Sequence, residues 1–191
     1  MKIKVSNSST PTALAALRSG HIDFAILVMR PGYKGAFLPQ DKFSVTRLAG
    51  FQDIFIAGND FSDLAGRSVT PGELCGYPFI CMEPGTVTRQ FLDDFLLQFH
   101  LAVSPDIELA TTDLITPMAA NNLGVGFVPR AFARSALEEG SVFQIRLTET
   151  VPEREICVIS RTDTPLSLAG NAFLRLFSDF AEPSCIKKDC R

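Results

Sequence analysis

The sequence predicts an α/β protein built as two small lobes. Three observations carry this. Strand-like and helix-like patterns alternate along most of the chain, as α/β layering requires. Phe24-Ala25-Ile26-Leu27-Val28 is a continuous apolar run, the composition of a strand covered on both faces in a parallel sheet. Finally, two βα series are separated by strand-like stretches with no helix between them, which places crossing segments near 48–58 and 149–160.

The elements follow in order. Ile3 and Val5 alternate with Lys2 and Lys4 and predict a short first strand. Thr10-Pro11 reads as an N-cap with proline at the first helical position. Ala13, Leu14 and Leu17 then share a helix face, and Gly20 ends that helix. With Phe24–Val28 this completes a strand–helix–strand crossover. Pro31 to Lys42 reads as a loop, and Phe43–Leu48 and Asp53–Ala57 read as strands. The second series starts with a strand at Tyr77–Met82. A helix over Thr88–Phe99 follows, with Phe91, Leu92, Phe95, Leu96 and Phe99 at helical spacing. Ile107–Leu109 is a short strand. Thr112 caps a helix carrying Leu114, Ile115, Met118, Ala119 and Leu123, closed by Gly124. A strand at Val125–Val128, a helix at Ala131–Glu139 and strands at Val142–Leu147 and Glu155–Ser160 come next. Ala172, Phe173, Leu176, Phe177 and Phe180 mark a last helix, and the residues after Pro183 read as a frayed tail.

The 191 residues are 46% hydrophobic and 20% charged, ordinary values for a globular α/β chain. Net charge is −3 and the 18 Lys and Arg residues are scattered, so the electrostatic footprint of nucleic-acid binding is absent. The N-terminus does not read as a secretory signal, and no apolar stretch is long enough to span a membrane. Cys75, Cys81, Cys157, Cys185 and Cys190 form no C-x-x-C pair and read as reduced thiols of a cytoplasmic protein.

The residues do not nominate catalytic chemistry. Of the two histidines, His21 sits at a helix–strand turn and His100 at a helix end, and neither has a second ligand at zinc spacing. The glycine-rich nucleotide motifs are absent, and Gly124-x-Gly126 opens a strand, the wrong context for one. Asp93-Asp94 reads as a solvated pair. No cofactor, metal site or catalytic residue is expected.

What stands out is a set of hydroxyl-rich segments ahead of helices: Ser6–Thr10, Glu83–Arg89 and Thr111-Thr112. In open α/β sheets ligands gather beyond the carboxyl ends of strands, where helix starts offer unpaired N–H groups suited to carboxylate or phosphate. Plain helix capping accounts equally well for any one of these segments.

Several motifs carry a resemblance to a known family. Ser8-Ser9-Thr10-Pro11 runs through Leu17 and Gly20 to Ile22-Asp23-Phe24-Ala25-Ile26. Leu64-Ala65-Gly66-Arg67, Glu73-Leu74, Pro78-Phe79-Ile80 and Glu83-Pro84-Gly85-Thr86 follow, then Asn122-Leu123-Gly124-Val125-Gly126-Phe127-Val128-Pro129. In this order they resemble the effector-binding domain of LysR-type transcriptional regulators. The resemblance implies a two-lobed type II periplasmic-binding-protein-like fold with two crossover strands. Lobe one would comprise residues 1–57 and 150–191, and lobe two 58–149. It further implies a small-molecule effector held between the lobes, with contacts from Ser8, Ser9, Thr10, Val28, Met29, Arg30, Gly85, Thr86, Thr111, Val128 and Pro129. Ser9, Thr10, Thr86 and Val128 are expected to line that pocket, and the hydroxyl-rich helix starts lean towards an anionic effector.

Two parts of the family pattern have no counterpart in this sequence: the N-terminal helix-turn-helix with its linker helix, and the first strand–helix unit of lobe one. DNA binding is therefore expected only through a domain outside this chain, with a homodimer as the expected assembly. The rival readings are a solute-binding protein of the same fold class and an enzyme on the same two-lobed fold. A pair of perturbed titratable groups facing the cleft would favour the enzyme.

Overall fold

The structure, a computed structural model, describes residues 3–30 and 42–180. In chain order the first elements are α1 (Thr10–Arg18), β1 (Phe24–Met29), β2 (Phe43–Phe51) and β3 (Asp53–Gly58). A 3₁₀ segment (Asn59–Leu64), β4 (Ser68–Val69), α2 (Pro71–Leu74), β5 (Phe79–Met82) and α3 (Val87–Leu97) follow. Then come β6 (Ile107–Leu109), a 3₁₀ turn (Thr112–Leu114), α4 (Ile115–Ala120), β7 (Val125–Pro129) and α5 (Arg130–Glu138). The described part closes with β8 (Val142–Leu147), β9 (Arg154–Arg161) and α6 (Leu168–Phe180).

Two compact units result: Met1–Phe51 with Glu153–Arg191, and Gln52–Pro152. The divisions fall at 51/52 and 152/153 rather than at the expected 57/58 and 149/150. The reason is hydrogen bonding: β3, expected in lobe one, is paired on both sides inside the second unit, with β7 and with β8.

The first unit holds a three-stranded sheet in the order β1-β9-β2, with both pairings antiparallel. The expected parallel crossover is not formed among the described residues. Ile3 and Val5 are in no strand, join none of β1, β9 and β2, and are 49% and 82% exposed, so their alternation has no pairing to complete it. One face of this sheet is covered by α1. Leu14 and Leu17 pack against Ala25, Leu27, Phe43, Cys157 and Ile159. Phe173 of α6 stacks on Phe24, with ring centroids 5.7 Å apart. Ile26 stays 41% exposed, so the apolar run of β1 is not covered on both faces along its whole length.

The second unit holds a six-stranded mixed sheet in the order β4-β8-β3-β7-β5-β6. Helices cover both faces, which is what its nearly all-apolar central strands require. On one face Phe91, Leu92, Phe95 and Leu96 of α3 pack against Phe55, Phe79, Cys81 and Phe127. On the other, Ile115 and Ala119 of α4 and Ala133 of α5 pack against Ile54, Ile56, Ile80 and Val128. The aromatic side is tightly keyed, with the Phe55 ring 4.8 Å from Phe127 and 6.1 Å from Phe79.

Four helices end in the same way. A residue one or two places after the cap turns left-handed, its N–H returns to a carbonyl in the last turn, and the next N–H returns one residue further back. Gly20, His100, Asn122 and Gly140 take this position at φ +72, +59, +59 and +72. For α4 the terminator is therefore Asn122 and not the expected Gly124, which instead opens β7 against the Pro78 carbonyl.

Candidate functional site

Within the second unit, β5 runs parallel to both β6 and β7, so the three strands finish at one end of the sheet. The segments that leave this end are Glu83–Thr86, Ala110-Thr111 and Pro129. Gly85, Thr86, Thr111, Val128 and Pro129 are thereby brought to one sheet edge, beside the starts of α3, the 3₁₀ turn before α4, and α5. The strand ends are tied together: Glu83 N–H donates to the Leu109 carbonyl at 2.9 Å, and Thr112 Oγ1 contacts Met82 Sδ at 3.4 Å.

These residues do different things there. Thr86 is the N-cap of α3. Its Oγ1 accepts from the Arg89 N–H at 3.2 Å and donates to the Glu83 carbonyl at 3.0 Å. The hydroxyl proton is thus committed locally, and one oxygen lone pair remains. Thr111 caps the 3₁₀ turn without a side-chain hydrogen bond and is exposed. Gly85 has φ +85 with nothing within 4 Å of an added Cβ, so backbone conformation rather than space requires glycine. Pro84-Gly85 is the residue order of a type II turn, where the second position sits near this φ. Val128 is 0% exposed as a whole residue among Ile54, Ala133 and Val142 and pairs with Ile54 of β3, so it belongs to the core and does not line the expected pocket.

In the first unit Ser9, not Thr10, is the N-cap of α1, and the proline follows inside the first turn. Ser9 makes no side-chain bond to the helix backbone; its Oγ shares a hydrogen bond with Thr12 Oγ1 at 2.9 Å. Ser8 and Ser9 are exposed and Thr10 is half-buried. Val28 and Met29 close β1, whose Ala25 and Leu27 pack with Leu14 and Leu17 of α1, and Arg30 follows directly after the strand.

Arg89 closes the hydroxyl-rich Glu83–Arg89 segment without a role read from sequence, yet its side chain bonds three groups at the second unit's strand ends. Its Nε donates to Asp93 Oδ1 at 2.9 Å, and its Nη1 donates to Glu108 Oε1 at 2.8 Å and to the Met82 carbonyl at 3.2 Å. The side chain is 11% exposed. Burial pulls the guanidinium pKa down, and the hydrogen bonds to Glu108 and Asp93 more than restore it, leaving it above its ordinary value. Asp93 is exposed, at 48%, as expected of it, and the structure adds its ion pair with Arg89. Only the i,i+4 spacing to Asp93 was visible in the sequence; Glu108 and Met82 reach Arg89 through the strand order.

Among the described residues no group of three His, Cys, Asp or Glu side chains is placed to hold a metal, and no helix is long and apolar enough to cross a membrane.

The family model of the LysR substrate binding domain matches residues 1–182. The chain belongs to this family. As a LysR substrate-binding domain it is a ligand-sensing module of the type II periplasmic-binding-protein-like α/β class and not an enzyme. It is similar to the regulatory domain of CcmR from Synechocystis PCC6803 in complex with 2-PG. The TM-score is 0.76 at 18% identity, over 92% of this chain and 81% of that one. The effector binding domain of QuiR in complex with shikimate matches with a TM-score of 0.73 at 14% identity, over 94% of this chain and 81% of that one. At the sequence level the chain is 32% identical over 94 residues to the uncharacterized HTH-type transcriptional regulator YfiE of Escherichia coli (strain K12), which is 49% of this chain. That match spans 30% of the regulator's length.

Proposed function

We propose that this LysR substrate-binding domain senses a small-molecule effector in the cytoplasm and controls transcription as part of a regulator whose DNA contacts lie on another domain. The two compact units are its two lobes. Ser8, Ser9, Thr10, Val28, Met29 and Arg30 of one unit and Gly85, Thr86, Thr111 and Pro129 of the other are the residues that contact the effector; Val128, fully buried, supports them from the core. The observation that supports this best is the gathering of strand ends and helix starts at one edge of the second unit's sheet, in a chain that matches the family model. Such edges present N–H groups and helix dipoles to a ligand, which favours a small anion.

Signalling requires that the effector bind two arrangements of the domain with different affinity; equal affinity would shift nothing. A homodimer is the assembly in which such a shift is transmitted to the DNA-reading domains, and light scattering that finds only monomer at high concentration would count against it.

The direct test is a thermal-shift screen of metabolites that includes 2-PG and shikimate, followed by calorimetry. A ligand at a hundredfold excess over its Kd adds about 2.7 kcal/mol of stability. Ser9→Ala and Thr111→Ala remove hydroxyls that make no bond to a helix backbone. Each is expected to weaken binding roughly fivefold, for about 1 kcal/mol per lost hydrogen bond, with little change in melting temperature. Unchanged affinity in both variants overturns the site.

A further inference from the structure

We infer that Arg89 is a positioning residue that locks the Glu83–Thr86 loop in place before any effector arrives. The inference deepens the effector reading above and rests on it for its functional meaning. The loop leaves β5 at Met82 and enters α3, and it is closed on itself at several points. Arg89 Nη1 bonds the Met82 carbonyl at the loop's start, while the Arg89 backbone N–H bonds Thr86 Oγ1 at its end. Thr86 Oγ1 in turn donates to the Glu83 carbonyl. One residue thus holds the first carbonyl before the loop and the hydroxyl inside it.

The same guanidinium reaches sideways to Glu108 of β6 and along α3 to Asp93. Glu108 stands opposite Cys81 in the β5–β6 register, and the next rung joins Met82 to Leu109. The Glu83 N–H bond to the Leu109 carbonyl extends that ladder into the loop. Arg89 therefore couples three elements at the edge that carries Gly85, Thr86 and Thr111.

Two carboxylates and a carbonyl take the Nε hydrogen and both Nη1 hydrogens, and little of the side chain meets solvent, so most of the guanidinium is spent inside the protein. A loop fixed in advance spares the ordering penalty that a mobile loop incurs on binding.

The test is site-resolved amide hydrogen exchange on the ligand-free chain, so its outcome does not depend on which metabolite binds. The wild-type protein is compared with Arg89→Gln and Arg89→Lys. The probes are the amides of Glu83, position 89 and Gln90, bonded to Leu109 O, Thr86 Oγ1 and Thr86 O. The controls are Val125 and Arg130, bonded to Pro78 O and Gln52 O in the same unit. Arg89→Gln is expected to speed exchange at the three probes by roughly tenfold while the controls hold. Arg89→Lys, which keeps one carboxylate partner but lacks the planar fork, is expected to recover part of the protection. Unchanged exchange at the probes overturns the inference. So does equal acceleration at the controls in both variants, which would make Arg89 a general stabiliser of the unit.

Discussion

Cys81 illustrates how burial sets a residue's chemistry. It is 1% exposed on β5 beneath α3, and burial pushes its thiol pKa from the ordinary 9.0 up to about 12. The unfolded chain releases this proton near pH 9 while the folded chain holds it, so stability attributable to Cys81 is intact below pH 9 and is lost as pH rises towards 12. Denaturant titrations should therefore show a fall in stability over that range that is shallower in Cys81→Ala. Native Cys81 should also react slowly with thiol reagents, since the thiolate is the nucleophile. His100 is a second case. Its place at a helix end was legible, but its left-handed φ of +59 was not, because that depends on which residue follows the last intact turn. His100→Gly should stabilise by about 1 kcal/mol, raising Tm by roughly 2–4 °C. Asn122→Gly, at the same φ, should not, because Asn122 Oδ1 accepts the Asp60 N–H at 3.1 Å.

Among elements, long helices and central strands were readable because their patterns are local. The α3 face of Phe91, Leu92, Phe95 and Leu96 repeats at helical spacing, and that is the face buried. Residues 59–74 went unassigned, since a 3₁₀ segment, a two-residue strand and a four-residue helix are too short to show a period. The strand expected at Ile3–Val5 failed for the opposite reason: its alternation is real, but a strand exists only with a partner. Caps show the same dependence. Thr86 bonds its helix backbone and Ser9 does not, although both are hydroxyl residues at N-caps. Thr86→Ala should cost about 1 kcal/mol of stability in chemical denaturation and Thr86→Ser much less. A Thr86→Ala variant as stable as wild type would deny the cap its weight.

For the whole molecule, continuity along the chain matters. The second unit is one uninterrupted stretch, Gln52–Pro152, with its own six-stranded sheet covered on both faces. The first is assembled from two stretches that meet where β9 pairs with β1 and β2. A fragment of residues 52–152 should therefore fold alone and melt cooperatively by circular dichroism, whereas residues 1–51 alone should not. A broad, non-cooperative melt of the 52–152 fragment would show that its core depends on the rest of the chain.

The sequence by itself determined the α/β class, the family, most element positions and the hydroxyl-rich helix starts, because these rest on spacing, composition and motif order within short windows. Tertiary structure alone decided that β1 pairs antiparallel with a strand over a hundred residues away, that Val128 is core, and that Arg89 joins Met82, Glu108 and Asp93. Those outcomes depend on which strands lie side by side, and hydrogen bonds between distant residues leave no trace in local pattern.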